Sequence, residues 1–112
     1  MAGISEFAVR QVERWCTRKV PERLRDEIRV ECKRRGNAVT IVERRAPWSR
    51  SIGPDWTEQK IAQLRLGDDG LWSVYWADRN GKWLSYPGVP EANSPMPLLE
   101  EIDRNPNGVF WG

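Results

Sequence analysis

Ile28-Arg29-Val30-Glu31-Cys32-Lys33-Arg34-Arg35-Gly36-Asn37-Ala38-Val39-Thr40-Ile41-Val42-Glu43-Arg44 is the stretch where the chain changes its period. Ile28, Val30 and Cys32 alternate with Arg29, Glu31 and Lys33, the period of two that marks a half-buried strand. Arg35-Gly36-Asn37 is turn chemistry, and Val39 to Arg44 is a β-branched return strand. A hairpin buries its apolar residues only if something else covers them. The rest of the chain must therefore supply both more sheet and a cover.

Upstream the period is helical. Ile4, Ala8, Val12, Trp15 and Cys16 form one stripe, widened by Phe7 and Val9, while Arg10, Glu13, Arg14 and Arg18 take the solvent side. Ser5 is a capping residue, and Glu6 suits the positive end of the helix dipole. Pro21 restricts Val20 and ends the helix near Lys19, then suits the start of a short helical turn over 22–26.

Downstream, Gly67-Asp68-Asp69-Gly70 and Asp78-Arg79-Asn80-Gly81 are hairpin turns between strands. Trp72, Val74 and Trp76 share one face of the strand between them, and Leu71, Ser73, Tyr75 and Ala77 share the other. Both faces carry bulk, so this strand reads as central and covered on at least part of each side. A Pro/Gly/Asn/Ser connector over 87–97 leads to a helix with Leu98, Leu99 and Ile102 inward. The apolar ending Val109-Phe110-Trp111 is expected to dock on the domain.

These readings give one domain over 1–112, with a helix over 5–19, strands at about 27–34, 38–45, 59–66, 71–77 and 82–86, and a helix over 97–104. The expected fold class is α+β: an antiparallel five-stranded meander sheet flanked by an N-terminal and a short C-terminal helix.

Composition excludes more than it assigns. The 112 residues include seven Trp and no His. Without His there is no Ser-His-Asp or Cys-His site, and two cysteines cannot furnish four zinc ligands. Cys16 and Cys32 form no CxxC and are expected reduced, in the core. No glycine-rich loop follows a strand and opens a helix, so no usual nucleotide site is present. Asp55 with Glu58-Gln59-Lys60 mimics the acid–x–Lys signature of metal-dependent nucleases. Glu31-Cys32-Lys33 matches as well, and two intervening residues do not place two acids on separate elements. No enzyme, cofactor or metal is expected. Residues 1–6 lack the basic and apolar regions of a signal peptide and no membrane span is present, which points to the cytoplasm.

Residues 1–53 hold 13 Lys/Arg against 7 Asp/Glu, and residues 54–112 hold 5 against 9. Either the halves complement each other once folded, or the first presents a basic face. The candidate binding surface joins Arg34, Arg35, Arg44, Arg45 and Arg50 to Trp48 and Trp56, which lie in a loop no packing period explains. Cations for phosphates and aromatics for bases are the parts of a single-strand binding surface. The same loop suits a protein partner or self-association. In the plainer alternative Trp48 and Trp56 plug the sheet edge and the arginines are merely solvated. Trp15, Trp72, Trp76 and Trp111 are read as core; Trp83, between polar neighbours, is undecided.

Four blocks carry a family resemblance: Arg35 to Trp48, Ile52-Gly53-Pro54-Asp55-Trp56-Thr57, Trp76-Ala77-Asp78-Arg79-Asn80-Gly81-Lys82-Trp83 and Gly108-Val109-Phe110-Trp111-Gly112. The chain resembles an uncharacterised bacterial family, the domain of unknown function numbered 3024. Members usually have two prolines before the tryptophan of the first block; here the first of the two is Ala46. The resemblance implies a small, stand-alone cytoplasmic bacterial protein and no activity.

Overall fold

The computed structural model describes residues 3–47 and 56–111. Helix α1 (Glu6–Arg18) starts where Ser5 Oγ accepts the Ala8 N–H at 3.1 Å. That bond satisfies one of the amides a helix start leaves without a partner. Ala8, Val12, Trp15 and Cys16 are its buried stripe. The chain turns at Pro21 into a single 3-10 turn, Glu22–Leu24, and enters the sheet.

Strands β1 (Ile28–Arg35), β2 (Ala38–Arg45), β3 (Thr57–Leu66), β4 (Trp72–Ala77) and β5 (Trp83–Ser85) lie side by side in sequence order. Every neighbouring pair is antiparallel. The α+β meander expected from the turn chemistry is the fold observed. Helix α2 (Met96–Arg104) packs against β4 and α1. Gly36 holds the β1–β2 turn at φ 59°, a left-handed conformation that costs glycine little.

Residues directly opposite in an antiparallel pair point to the same side. Val30, Cys32, Val39, Ile41, Leu64 and Val74 therefore share one face with Trp72, and both helices bury their apolar stripes against it. Burial of apolar area, worth ~25 cal/mol per Å², is concentrated in that layer. Among the described residues, no helix lies on the other face.

β3 contains one irregularity that decides what that other face carries. Ile41 stands opposite Ala62, but Val42 stands opposite Lys60, so Ile61 is an extra residue, a β-bulge. Ile61 and Ala62 are both buried, and the alternation then resumes with Lys60 on the side away from the helices. β3 starts two residues before the expected 59, because Thr57 and Glu58 pair with Arg45 and Arg44.

The C-terminus docks. Asn105 caps α2 in the left-handed region, at φ 44°, and its Oδ1 accepts the Phe110 N–H at 3.0 Å. Phe110 is 2 % exposed and sits 5.0 Å from Tyr86, ring to ring. Trp111 Nε1 donates to the Ile102 carbonyl, and Trp15 Nε1 to Asp103, both at 3.0 Å. Both indoles thus find the polar partner a buried Trp requires. Trp76 and Trp111 pack against the core that holds Trp15 and Trp72.

Candidate functional site

The sheet face away from the helices is built by the same alternation that builds the core. Opposite pairs place Arg29, Arg44 and Glu58 in one row there, and Glu31, Val42 and Lys60 in the next. Lys33, Thr40, Gln63 and Tyr75 follow, then Arg35, Ala38, Arg65 and Ser73. Trp83, opposite Ala77, stands on the same face at the β5 edge. Among the described strand residues, six cations, Arg29, Lys33, Arg35, Arg44, Lys60 and Arg65, thus face two carboxylates, Glu31 and Glu58.

Each aromatic ring described on this face has a cation beside it. The Arg29 guanidinium lies 4.5 Å from the Trp56 ring centre, Lys60 Nζ 5.5 Å from that of Trp83, and the Arg65 guanidinium 3.8 Å from that of Tyr75. Such contacts contribute about 0.5–1 kcal/mol each where solvent reaches them. Trp56 and Trp83 are half-buried and belong to no part of the core cluster. Among the described residues, the contact beside each of these two rings is a cation.

Polar contacts tie the rows together. Arg29 Nε donates to the Arg25 carbonyl at 2.8 Å, which holds its guanidinium over Trp56. Gln63 donates to Thr40 at 2.9 Å and accepts from Arg65 at 2.7 Å. Arg44 pairs with Glu31 at 3.3 Å, and Lys33 pairs with Glu58. Both pairs are substantially exposed, so each contributes little and yields readily to a competing anion. Beneath them Val42 is only 1 % exposed although no helix covers it. The stems of long side chains form its cover. Arg44 Nε is buried there with no hydrogen-bond partner among the described residues.

Beside Lys60 the sheet has a notch. β4 pairs with β3 over Gln63–Leu66, so the start of β3 runs past the β4–β5 turn. A cleft of about 540 Å³ lies there, lined by Glu58, Lys60, the turn from Asp78 to Gly81, and Gly108 to Phe110. Its size is that of a small-molecule or nucleotide subsite. Lys60 Nζ donates to the Gly81 carbonyl at 3.0 Å, and Asp78 Oδ1 accepts from the Asn80 and Lys82 amides at 2.8 and 2.9 Å, which fixes the turn.

Seven residues were named from the sequence as one surface, and the register divides them. Arg34 and Arg35 adjoin the turn, whereas Arg44 and Arg45 pair with Arg29 and Ile28 at the open end of the hairpin. At ~3.3 Å per residue the two sets are roughly 20 Å apart. Alternation divides them again: Arg35 and Arg44 are on the face without helices, and Arg34 and Arg45 on the other. Arg45 is exposed and bonds Glu43 at 2.9 Å. Trp56 joins Arg29 and Arg44. Trp48 and Arg50 lie outside the described residues. Arg29, Lys60, Arg65, Tyr75 and Trp83 stand outside the surface expected from the sequence, although the period-two spacing of Arg29, Glu31, Lys33 and Arg35 signals a charged face.

Tyr86, Glu101 and Arg104 form a separate polar cluster on the helix side. The Tyr86 hydroxyl donates to Glu101 at 2.7 Å, and Arg104 donates to the other carboxylate oxygen. The Arg104 hydrogen bond, followed by that of Tyr86, holds the Glu101 carboxyl below its usual range. Burial, then the Glu101 contact, pushes the Tyr86 phenol up. This cluster ties α2 to the chain after β5 and faces no cavity described above.

Among the described residues, no cluster of three or more Cys, Asp or Glu is placed to hold a metal ion. No described helix is long and apolar enough to cross a membrane. No curated protein and no solved structure matches the chain. Residues 4–112 match the family described as a domain of unknown function, DUF3024, and two of the four blocks quoted from the sequence, around Asp78–Gly81 and Gly108–Phe110, line the cleft beside Lys60. With nearly its whole length matched, the chain belongs to the DUF3024 family.

Proposed function

We propose that this domain is a non-enzymatic binding module that takes single-stranded nucleic acid across the sheet face bearing Trp56, Trp83 and Tyr75. The observation that carries the reading is the pairing of these three rings with cations on a face where, among the described strand residues, cations outnumber carboxylates six to two. Phosphates would displace the weak surface ion pairs of Arg44 and Lys33, and bases would stack on the rings. A duplex hides the base faces that such rings require, so unpaired strands fit better.

Fluorescence titration with a short single-stranded oligonucleotide, and with its duplex, tests this directly. Binding of the single strand should weaken steeply with salt, by about 0.7 in log–log slope per phosphate contacted. Absence of binding to any DNA or RNA strand at low salt overturns the reading. A protein partner on the same face is the second reading. The enrichment of Trp, Tyr and Arg that marks interaction hot spots favours it, and its contacts would respond only weakly to salt.

A further inference from the structure

The chain has two cysteines, distant in sequence, and the fold brings them together. α1 packs on β1, with Cys16 on its buried stripe. Alternation with Val30 places Cys32 on the sheet side that α1 covers, packed against the cluster that contains Cys16. Both are free thiols. The two thiols lie near enough for each to shift the ionisation of the other. Their surroundings differ: Cys16 is 3 % exposed, whereas Cys32 is only partly buried on the edge strand.

We propose that Cys16 and Cys32 form a reversible oxidation site for hydroperoxides, in which Cys32 reacts first and Cys16 resolves it to an intrachain disulfide joining α1 to β1. Cys32 is the more exposed of the two, so a peroxide reaches it first, and the neighbouring Cys16 holds the Cys32 thiol below its ordinary range, which favours the nucleophilic thiolate there. The contact with Cys32, then burial, pushes the Cys16 thiol up, so it keeps its proton until the second step.

In the first step the Cys32 thiolate attacks one peroxide oxygen. The O–O bond breaks, an alkoxide leaves and is protonated to the alcohol, and Cys32 becomes a sulfenic acid. In the second, the Cys16 sulfur attacks the Cys32 sulfur. The S–O bond breaks, and the departing hydroxide takes the Cys16 proton and leaves as water. Two thiols have lost two electrons, and the peroxide has gained them. Thiol reductants reverse the change. Because Cys16 is covered by its own helix and sheet, the bridge closes within one chain rather than between two.

Intact-mass spectrometry of the reduced protein, before and after a small alkyl hydroperoxide, is the test. The expected product is a monomer lighter by about 2 Da, with no alkylatable thiol, restored by dithiothreitol. Closing a loop of this length should raise the melting midpoint by about 10 °C. Cys16→Ser should leave a sulfenic acid on Cys32 that dimedone traps; Cys32→Ser should leave Cys16 unreactive. Two alkylatable thiols after treatment, a disulfide-linked dimer, or a Cys32→Ser variant that reacts as fast as the native chain each overturn the proposal. The mass and thiol measurements on the native chain decide it even where a variant fails to fold.

Discussion

Lys60 reaches across the start of the β4–β5 hairpin to stand 5.5 Å from the ring centre of Trp83 while it donates to the Gly81 carbonyl at 3.0 Å. One ammonium therefore holds a strand, a turn and an indole in a single arrangement on the face without helices. Neither contact is strong. Together they orient a ring that no core packing fixes.

Trp83→Ala should weaken single-strand binding by roughly 5- to 150-fold, the ~1–3 kcal/mol of one stacked base, and leave the domain folded. Trp72, 3 % exposed in the core, is the contrast. Its truncation should cost about 3–5 kcal/mol of stability. Titration and thermal melting of both variants separate a binding Trp from a structural one. Equal losses of stability would remove Trp83 from the binding face.

Arg44 and Arg45 are neighbours in sequence and lie on opposite faces of the sheet. Arg44→Ala should reduce the log–log salt slope of single-strand binding by about 0.7, the value for one phosphate contact. Arg45→Ala should leave the slope unchanged. Were Arg45 to matter as much as Arg44, the surface would be the hairpin end and not the open face.

Glu101 makes stability depend on acid. Its carboxyl is held down chiefly by Arg104, so its contribution is fully present above the unfolded value of about 4.3. That contribution is lost as the pH falls through the lower, folded value. Melting midpoints should fall across that window, and Glu101→Gln should flatten this limb while lowering stability at neutral pH. An unchanged acid limb in the variant would assign it to other carboxylates.

Ser5→Ala removes the acceptor of the Ala8 amide and should cost about 1 kcal/mol, measured by denaturant unfolding. Ser5→Asp should restore most of it, because the carboxylate accepts the same bond and complements the dipole.

The fold was legible because its signals are local. The alternation of Ile28, Val30 and Cys32, and the turns at Gly36, Gly70 and Gly81, each specify their element without reference to distant residues. The binding face was less so, since it depends on which residues of separate strands lie opposite. Arg34 and Arg44 look equivalent in sequence, and register alone puts them on opposite sides. Trp83 could not be placed from its own polar neighbours, because the cation beside its ring, Lys60, comes from another strand. Counting back by twos from Leu64 and Ala62 would even send Lys60, Glu58 and Trp56 into the core. The bulge at Ile61 reverses that count.

The extra residue therefore acts as a parity switch. Everything in β3 before Ile61 takes its side of the sheet from that one insertion. A length change of a single residue can thus carry a whole set of charged and aromatic side chains from one side of such a sheet to the other, with none of them altered.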